Sequence, residues 1–324
     1  MNRREAMIGL TALAACAPFA ARAQTYPDRP IRLMVPFAPG GVTDVIGRLW
    51  AERMKPVLST VIIENQGGAG GAIAAGEVAR AQADGYTLLF GTTGTQVINP
   101  QVSRVSYDPL KDFTAVSIIA ISAVSIAVNP ALPVRSVNEL IAYARANPDK
   151  LSYGSAGTGT LTQLAGEMFK QLAGTPGIVH IPYKGAGPGL TDLVSGHIPM
   201  MAPNVTAQVL DLHRAGKIRI IAVTTSERLA AAPDIPTAVD SGLPGMVAQL
   251  FTGLFAPAAT PKPIVEKIAA ATHTAMADRA FQDLMIKSGF EPVIDSNPDK
   301  AQRFVGEEHV RLTPVIKAAN LKVE

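Results

Sequence analysis

The chain has 324 residues, of which 48% are hydrophobic, 17% charged and 5% aromatic, with a formal net charge of +3. That length sets a prior of about two domains, and the composition provides for a sizeable core and excludes a disordered chain. With so few rings, any recognition surface draws on backbone groups and small polar side chains more than on stacking.

The first two dozen residues read as an export signal. Arg3 and Arg4 precede an uncharged stretch, Ala6 to Ala21, and Ala21-Arg22-Ala23 has the small-x-small form of a cleavage site. The apolar part is too short to span a bilayer. The paired arginines raise a twin-arginine route, though the hydrophobic residues that should follow them are only partly present. Leu13-Ala14-Ala15-Cys16 also resembles a lipoprotein box that would leave Cys16 lipidated; cleavage after Ala23 is the preferred reading. Removing residues 1–23 takes away three arginines and one glutamate, so the formal charge falls from +3 to +1. A near-neutral mature chain has no electrostatic footprint for nucleic acid and no polybasic run for a membrane surface. It also loses its one cysteine, and with it any disulfide, thiolate nucleophile or cysteine metal site. No later segment is apolar for long enough to span a bilayer, so the product is an exported protein, soluble or tethered by lipid.

Strand-like and helix-like runs then alternate, which predicts an α/β fold with mainly parallel sheets. Ile31–Val35 is a strand that breaks at Pro36 into a loop with two prolines and two adjacent glycines. Thr43 or Asp44 opens a helix with Val45, Ile46 and Leu49 on one face and Asp44 and Arg48 paired at i,i+4, ending near Pro56. Val61–Ile63 is the second strand, followed by the bare loop Asn65–Gly71 and a helix to about Ala81. Tyr86–Phe90 is a buried strand leading to a loop rich in Gly and Thr. Ser117–Val128 reads as a strand that crosses into a second domain. There Ser136 caps a helix to about Asn147, with Glu139 completing a capping box. Leu151–Tyr153 is a short strand before the loop Gly154–Thr160, and the next helix carries Leu164, Met168 and Leu172 inward. Strand Ile178–Ile181 leads to Pro-Tyr-Lys-Gly-Ala-Gly-Pro-Gly and a helix over Leu190–Ser195. Ile218–Val223 is a buried strand, residues 224–237 an exposed connection, and Leu250–Pro257 a strand returning to the first domain. From Pro263 the pattern predicts two amphipathic helices around a turn at Gly289. The predicted division is residues 24–124 and 252–324 for domain 1 and 125–251 for domain 2, with a ligand cleft between them.

One device recurs, after Val35, Phe90, Tyr153 and Ile181: a strand, a loop of Gly with Thr, Ser or Pro, then a helix N-terminus. Such termini present unpaired N–H groups and a partial positive charge, an anion site. One such loop is an ordinary βα turn. Four, two in each predicted domain, point to convergence on one anion. Burying a carboxylate costs several kcal/mol, and one helix terminus returns only about 0.3–1, up to ~2, kcal/mol, so several must act together with hydrogen bonds of roughly 1.5–3 kcal/mol each. Other motifs are weak. Gly185–Gly189 only partly matches a dinucleotide fingerprint, Ser155 has Tyr153 where a nucleophile elbow wants glycine, and the five histidines have no metal spacing. Lys184 borders a Gly loop and could pair with a carboxylate, or simply be solvated.

The segments Arg29–Met54 (with Pro36-Phe37-Ala38-Pro39-Gly40-Gly41), Glu64–Gly71, Ala83–Pro100, Leu151–Phe169, His180–Ile198, Lys217–Thr237 and Gly253–Ile268 together resemble one family in order and spacing. It is the Bug/TctC group of extracytoplasmic solute receptors of tripartite tricarboxylate transporters, and the resemblance spans essentially the whole mature chain. It implies a two-domain periplasmic binding protein of type II-like architecture, joined by two crossing strands. It further implies no catalysis, no cofactor, a small carboxylate ligand, a membrane permease as partner and a monomer in the periplasm. Carried over, it puts Phe37, Ala38, Gly40 and Thr43 on the first-domain side of the cleft, with Thr92 and Thr93. Ser155, Ala156, Gly157 and Thr158 face them with Lys184 nearby, and Asn204 and Phe251 complete the set. Water commonly bridges ligand and first loop in such receptors. Where members often read Phe-Asp-Asn this chain has Ala202-Pro203-Asn204, and Phe251-Thr252 stands where many carry Trp-Phe. These departures point to a carboxylate without an amino group, of a size above succinate. The alternatives are an exported dehydratase-like enzyme on the same scaffold, or a receptor serving a sensor kinase.

Overall fold

The computed structural model describes residues 26–148, 150–319 and 321; the export signal over residues 1–23, with Cys16, lies outside the described residues. The chain runs through β1 (Ile31–Val35), α1 (Val42–Met54), β2 (Val61–Asn65), α2 (Ala72–Ala79) and β3 (Thr87–Thr92). A π-helical turn, Gly94–Ile98, then runs directly into α3 (Asn99–Val102). The strand expected at 117–128 is two strands, β4 (Phe113–Ala123) and β5 (Ser125–Val128), interrupted at Val124. Next come α4 (Val137–Ala146), β6 (Ser152–Ser155), α5 (Leu161–Ala173), β7 (Val179–Pro182), α6 (Ala186–Ser195), β8 (Met200–Met201), α7 (Ala207–Arg214) and β9 (Arg219–Val223). The chain returns through β10 (Gln249–Pro257) and finishes with α8 (Lys262–Met276), α9 (Arg279–Lys287), β11 (Glu291–Pro292) and α10 (Pro298–Ala318).

Two sheets divide these strands, in the orders β11-β4-β10-β3-β1-β2 and β7-β6-β8-β5-β9. Each is mixed. Parallel pairs (β1 with β2 and β3; β6 with β7 and β8) occupy one side, and antiparallel pairs involving β4, β10 and β5 the other. The reason is topological: strands that leave one lobe and come back must run opposite to the βα units they join. β10 pairs with β4 from Gln249 onward, so the returning connection crosses at Ala248.

The crossing is fastened at one point. Thr224, fully buried, donates its N–H to the Val124 carbonyl at 2.9 Å and accepts from the Ala248 N–H at 2.9 Å. Its hydroxyl lies 3.0 Å from the Val124 carbonyl and 2.7 Å from that of Ala248. The bridging Val124–Asn204 pair adds a third strand of contact.

Local sequence explains most elements. Ser136 accepts from the Glu139 N–H and the Glu139 carboxylate accepts from the Arg135 N–H, a capping box shifted by one residue at its second bond. Along α1, Ile46, Trp50 and Met54 recur at i, i+4, i+8 and are wholly buried. The Trp50 indole N–H donates to the Thr272 hydroxyl of α8 at 3.1 Å, pinning α1 to the lobe core while its N-terminus points to the cleft. Burying such a side chain contributes about 1.5–3 kcal/mol. Along α5, Leu161, Leu164 and Met168 are buried as the pattern requires, but Leu172 is 44% exposed; Ala173 takes the inward place because the apolar stripe drifts by the fraction of a turn that 3.6 residues leaves. Three C-terminal helices replace the two expected, since the Asp278 side chain accepts from the Ala280 and Phe281 N–H groups and starts a new helix there. The connection at 224–237 is only partly exposed: Thr224, Thr225, Ala232, Ile235 and Thr237 are buried.

Candidate functional site

Three helices begin on the wall of one cavity between the lobes. Val42 of α1 comes from the first lobe, and Leu161 of α5 and Ala186 of α6 come from the second. Their N-caps differ. Gly41 and Gly185 provide no side chain to satisfy the first N–H groups of α1 and α6, whereas Thr160 caps α5 by accepting from the Gln163 N–H. Glycine at 185 is required twice over, because its φ is +150° and a Cβ would lie 2.9 Å from the Ala38 nitrogen. In α6, Pro188 occupies the first turn, where a missing N–H costs nothing. The helix therefore starts four residues before the Leu190 expected from sequence.

The remaining wall is built from Phe37, Thr43, Thr92, Gly94 and Leu250 on one side and Ala156, Thr162 and Asn204 on the other. Among the described residues, no charged side chain lines it. Asn204 Nδ2 is buried and has no hydrogen-bond partner among the described residues, a donor left open on the cavity wall. The backbone on either side of it is clamped to the crossing strand, Ser125 N–H to the Pro203 carbonyl and Val205 N–H to the Ala123 carbonyl, both at 2.8 Å. The cavity measures about 30 Å³, room for about one water molecule. The cavity is small, and the lobes meet closely around it.

The closed contact is made by backbone. The Ala38 N–H of the first lobe donates to the Lys184 carbonyl of the second at 3.1 Å. Gly67 and Gly187 make room for it: a Cβ at either would lie 2.6 Å from a carbonyl oxygen across the cleft, that of Lys184 or Pro39. Gly70 packs still more closely against the Thr158 carbonyl.

Asp44 is beside the cleft but committed. Burial opposes its charge, yet Arg48 at 2.9 Å, the Gly40 N–H at 3.1 Å and the Asn65 amide at 3.0 Å together hold its carboxyl below the usual range. It remains an anion in the first turn of α1, where the helix dipole favours one, and has no proton to give.

Of the residues singled out from sequence, Phe37, Thr43, Thr92, Ala156 and Asn204 stand on the cavity wall. Ala38, Gly40 and Lys184 stand at its lip; the Lys184 side chain is solvent-exposed and it is the carbonyl that reaches across. Thr93 is fully buried and accepts from the Phe251 N–H at 2.9 Å. Phe251 packs in the first-lobe core, edge-on to Phe304, and its neighbour Leu250 faces the cavity, as alternation along a strand demands. Ser155 and Gly157 lie behind the wall, and Thr158 opens onto a separate crevice with His180 and Arg104. The amides of the second-lobe loop are satisfied locally: Ala156 N–H donates to the Thr162 hydroxyl, Gly157 N–H to the Ser155 hydroxyl and Gly159 N–H to Gln163 Oε1. Among the wall residues that sequence reading did not single out are Gly41, Ala186, Thr162 and Leu250. A signal existed for the second-lobe loop, since Thr160-x-x-Gln163 has the spacing of a capping box.

Residues 46–321 match the sequence profile of the tripartite tricarboxylate transporter family receptor. Protein BugT of Bordetella pertussis is 32% identical over all of this chain and 99% of its own. Among solved structures, an R. palustris protein with adipate is 36% identical at a TM-score of 0.87, covering 92% of this chain and 99% of its own. MatC from Rhodopseudomonas palustris with bound malate is 33% identical at a TM-score of 0.85, covering 90% of this chain and 100% of its own. Another relative, BugD, is a periplasmic binding protein, 34% identical over 92% of this chain and all of its own, at a TM-score of 0.87. The chain belongs to this family: it is a two-domain, extracytoplasmic solute receptor of the Bug/TctC group of tripartite tricarboxylate transporters.

Proposed function

We propose that this receptor captures an organic acid without an amino group, with one carboxylate at the uncapped starts of α1 and α6. The Thr43 hydroxyl and the Asn204 amide add donors. One observation carries the reading: uncapped helix N-termini from opposite lobes meet on a single cavity whose wall, among the described residues, holds no charged side chain. An ammonium would find no carboxylate there, whereas an anion meets two helix termini and at least two side-chain donors. The relatives solved with adipate and malate support a dicarboxylate as the first candidate. Micromolar capture requires only about −8 kcal/mol, within reach of two helix termini and several charge-assisted hydrogen bonds after desolvation. Entry requires the lobes to part about the two crossing strands and close again. The receptor works as a monomer in the periplasm, reached through a cleaved N-terminal signal, and hands its solute to the membrane permease.

Native mass spectrometry of freshly purified protein, with a thermal-shift panel of organic and amino acids, tests this reading. An acid of a few carbons that adds its mass and raises Tm is the expected result. Stabilisation by amino acids alone would overturn it.

A further inference from the structure

Behind the second-lobe wall lies a hydrogen-bonded chain that the ligand reading leaves unused. His180 Nε2 is 2.7 Å from the Ser155 hydroxyl, and His180 Nδ1 is 3.4 Å from Gln163 Nε2. The orientation of Gln163 is set independently, because its Oε1 accepts from the Gly159 N–H at 2.7 Å. Its NH₂ therefore faces the imidazole, so Nδ1 must accept and Nε2 must carry the proton. The Nε2–H donates to Ser155, whose hydroxyl accepts from the Gly157 N–H at 3.1 Å and donates to the Gly157 carbonyl at 3.3 Å. Every donor has an acceptor in one arrangement only. The pair is not a nucleophile with its base: the ring nitrogen facing Ser155 is a donor, and the group behind the ring is an amide. Glu167, a carboxylate whose charge acts on the ring, is bonded to the Tyr153 hydroxyl and Lys170.

We propose that His180 is a positioning residue for solute capture, locked in one tautomer by Gln163 and holding, through Ser155, the turn that carries Ala156 onto the cavity wall and the Thr158 carbonyl against Gly70. This rests on the cleft being the solute site. Burial keeps the ring neutral, and Tyr153 stacks on it with centroids 4.8 Å apart.

Long-range ¹H–¹⁵N NMR of the imidazole in the mature protein should show the Nε2–H tautomer alone at neutral pH. His180→Phe keeps the stack but loses both hydrogen bonds, and should speed exchange of the Gly157 amide at least tenfold and weaken adipate binding about tenfold. His180→Gln, whose amide nitrogen reaches the Nε2 position, should restore most of the protection. His180→Asn, whose oxygen reaches only the Nδ1 position, should not. A mixed or Nδ1–H tautomer, or Gly157 exchange unchanged in His180→Phe, would overturn the proposal. Failure of the wild-type protein to bind adipate or any other acid would count against the solute reading instead, because the tautomer and the exchange rate are read without ligand.

Discussion

Gly187→Ala tests the closed contact between the lobes. Gly187 is the second residue of α6, in an ordinary right-handed conformation, and a Cβ there would sit 2.6 Å from the Pro39 carbonyl oxygen of the opposite lobe. Relieving that overlap costs about 1–3 kcal/mol, and displacing the lip also strains the Ala38–Lys184 hydrogen bond, worth about 0.5–1.5 kcal/mol net. A cost of about 2 kcal/mol lowers the ratio of closed to open molecules roughly 30-fold. The fold itself does not suffer, since alanine is the better helix former by about 0.8–1 kcal/mol, so Tm holds or rises. Small-angle scattering and inter-lobe spin-label distances on ligand-free protein read the change directly, as a shift toward longer separations. Gly67→Ala, with its Cβ 2.6 Å from the Lys184 carbonyl, should act the same way, and Gly306→Ala, with nothing within 4 Å, should not. If Gly187→Ala and Gly306→Ala give the same distance distribution as wild type, the lips are not held by this contact.

Asn204→Ala removes a buried donor that has no partner among the described residues; it should leave Tm unchanged or higher and weaken carboxylate binding about tenfold by calorimetry, about 1.4 kcal/mol. Lys184→Ala should change that affinity less than about twofold, because its ammonium is in solvent and its carbonyl makes the cross-lobe bond. Thr224→Val deletes the hydroxyl shared by both crossing strands in a fully buried site and should cost about 1–3 kcal/mol in chemical denaturation. Burial pushes the His180 imidazole down to about 4, from an ordinary value of 6.5. Below pH 6.5 the unfolded chain takes up a proton that the folded one refuses, so stability is full above that pH and falls progressively toward pH 4. With the ring only partly enclosed the loss is about 1–2 kcal/mol, and Tm against pH should show it in wild type and lack it in His180→Phe.

Much of the cavity wall was legible because its parts are local. A strand, a Gly-Pro loop and a helix start are written within about ten residues, and the i,i+4 spacing of Asp44 and Arg48 placed their ion pair correctly. What stayed hidden depends on parity or on distant packing. Whether Leu250 or Phe251 faces the cleft is decided by the register of β10 against β4, which no local pattern contains. Ala186 was missed because Gly-Pro-Gly reads as loop, although a proline in the first turn is compatible with a helix. The Thr160, Thr162 and Gln163 side chains bind their own loop instead of presenting its amides to the cleft, a competition between local and ligand hydrogen bonds that residue types alone do not resolve. A single strand was expected over 117–128; its interruption at Val124, where Thr224 and Asn204 pair with the chain, was not foreseen.

A crystal structure of the protein with the acid it retains on purification would bear most directly on all of this. The solute's carboxylate should lie in the cleft, its oxygens within hydrogen-bond distance of the first N–H groups of α1 and α6 and of Asn204 Nδ2. An acid seated outside the cleft, or held there by the Lys184 ammonium with those N–H groups pointing elsewhere, would contradict it.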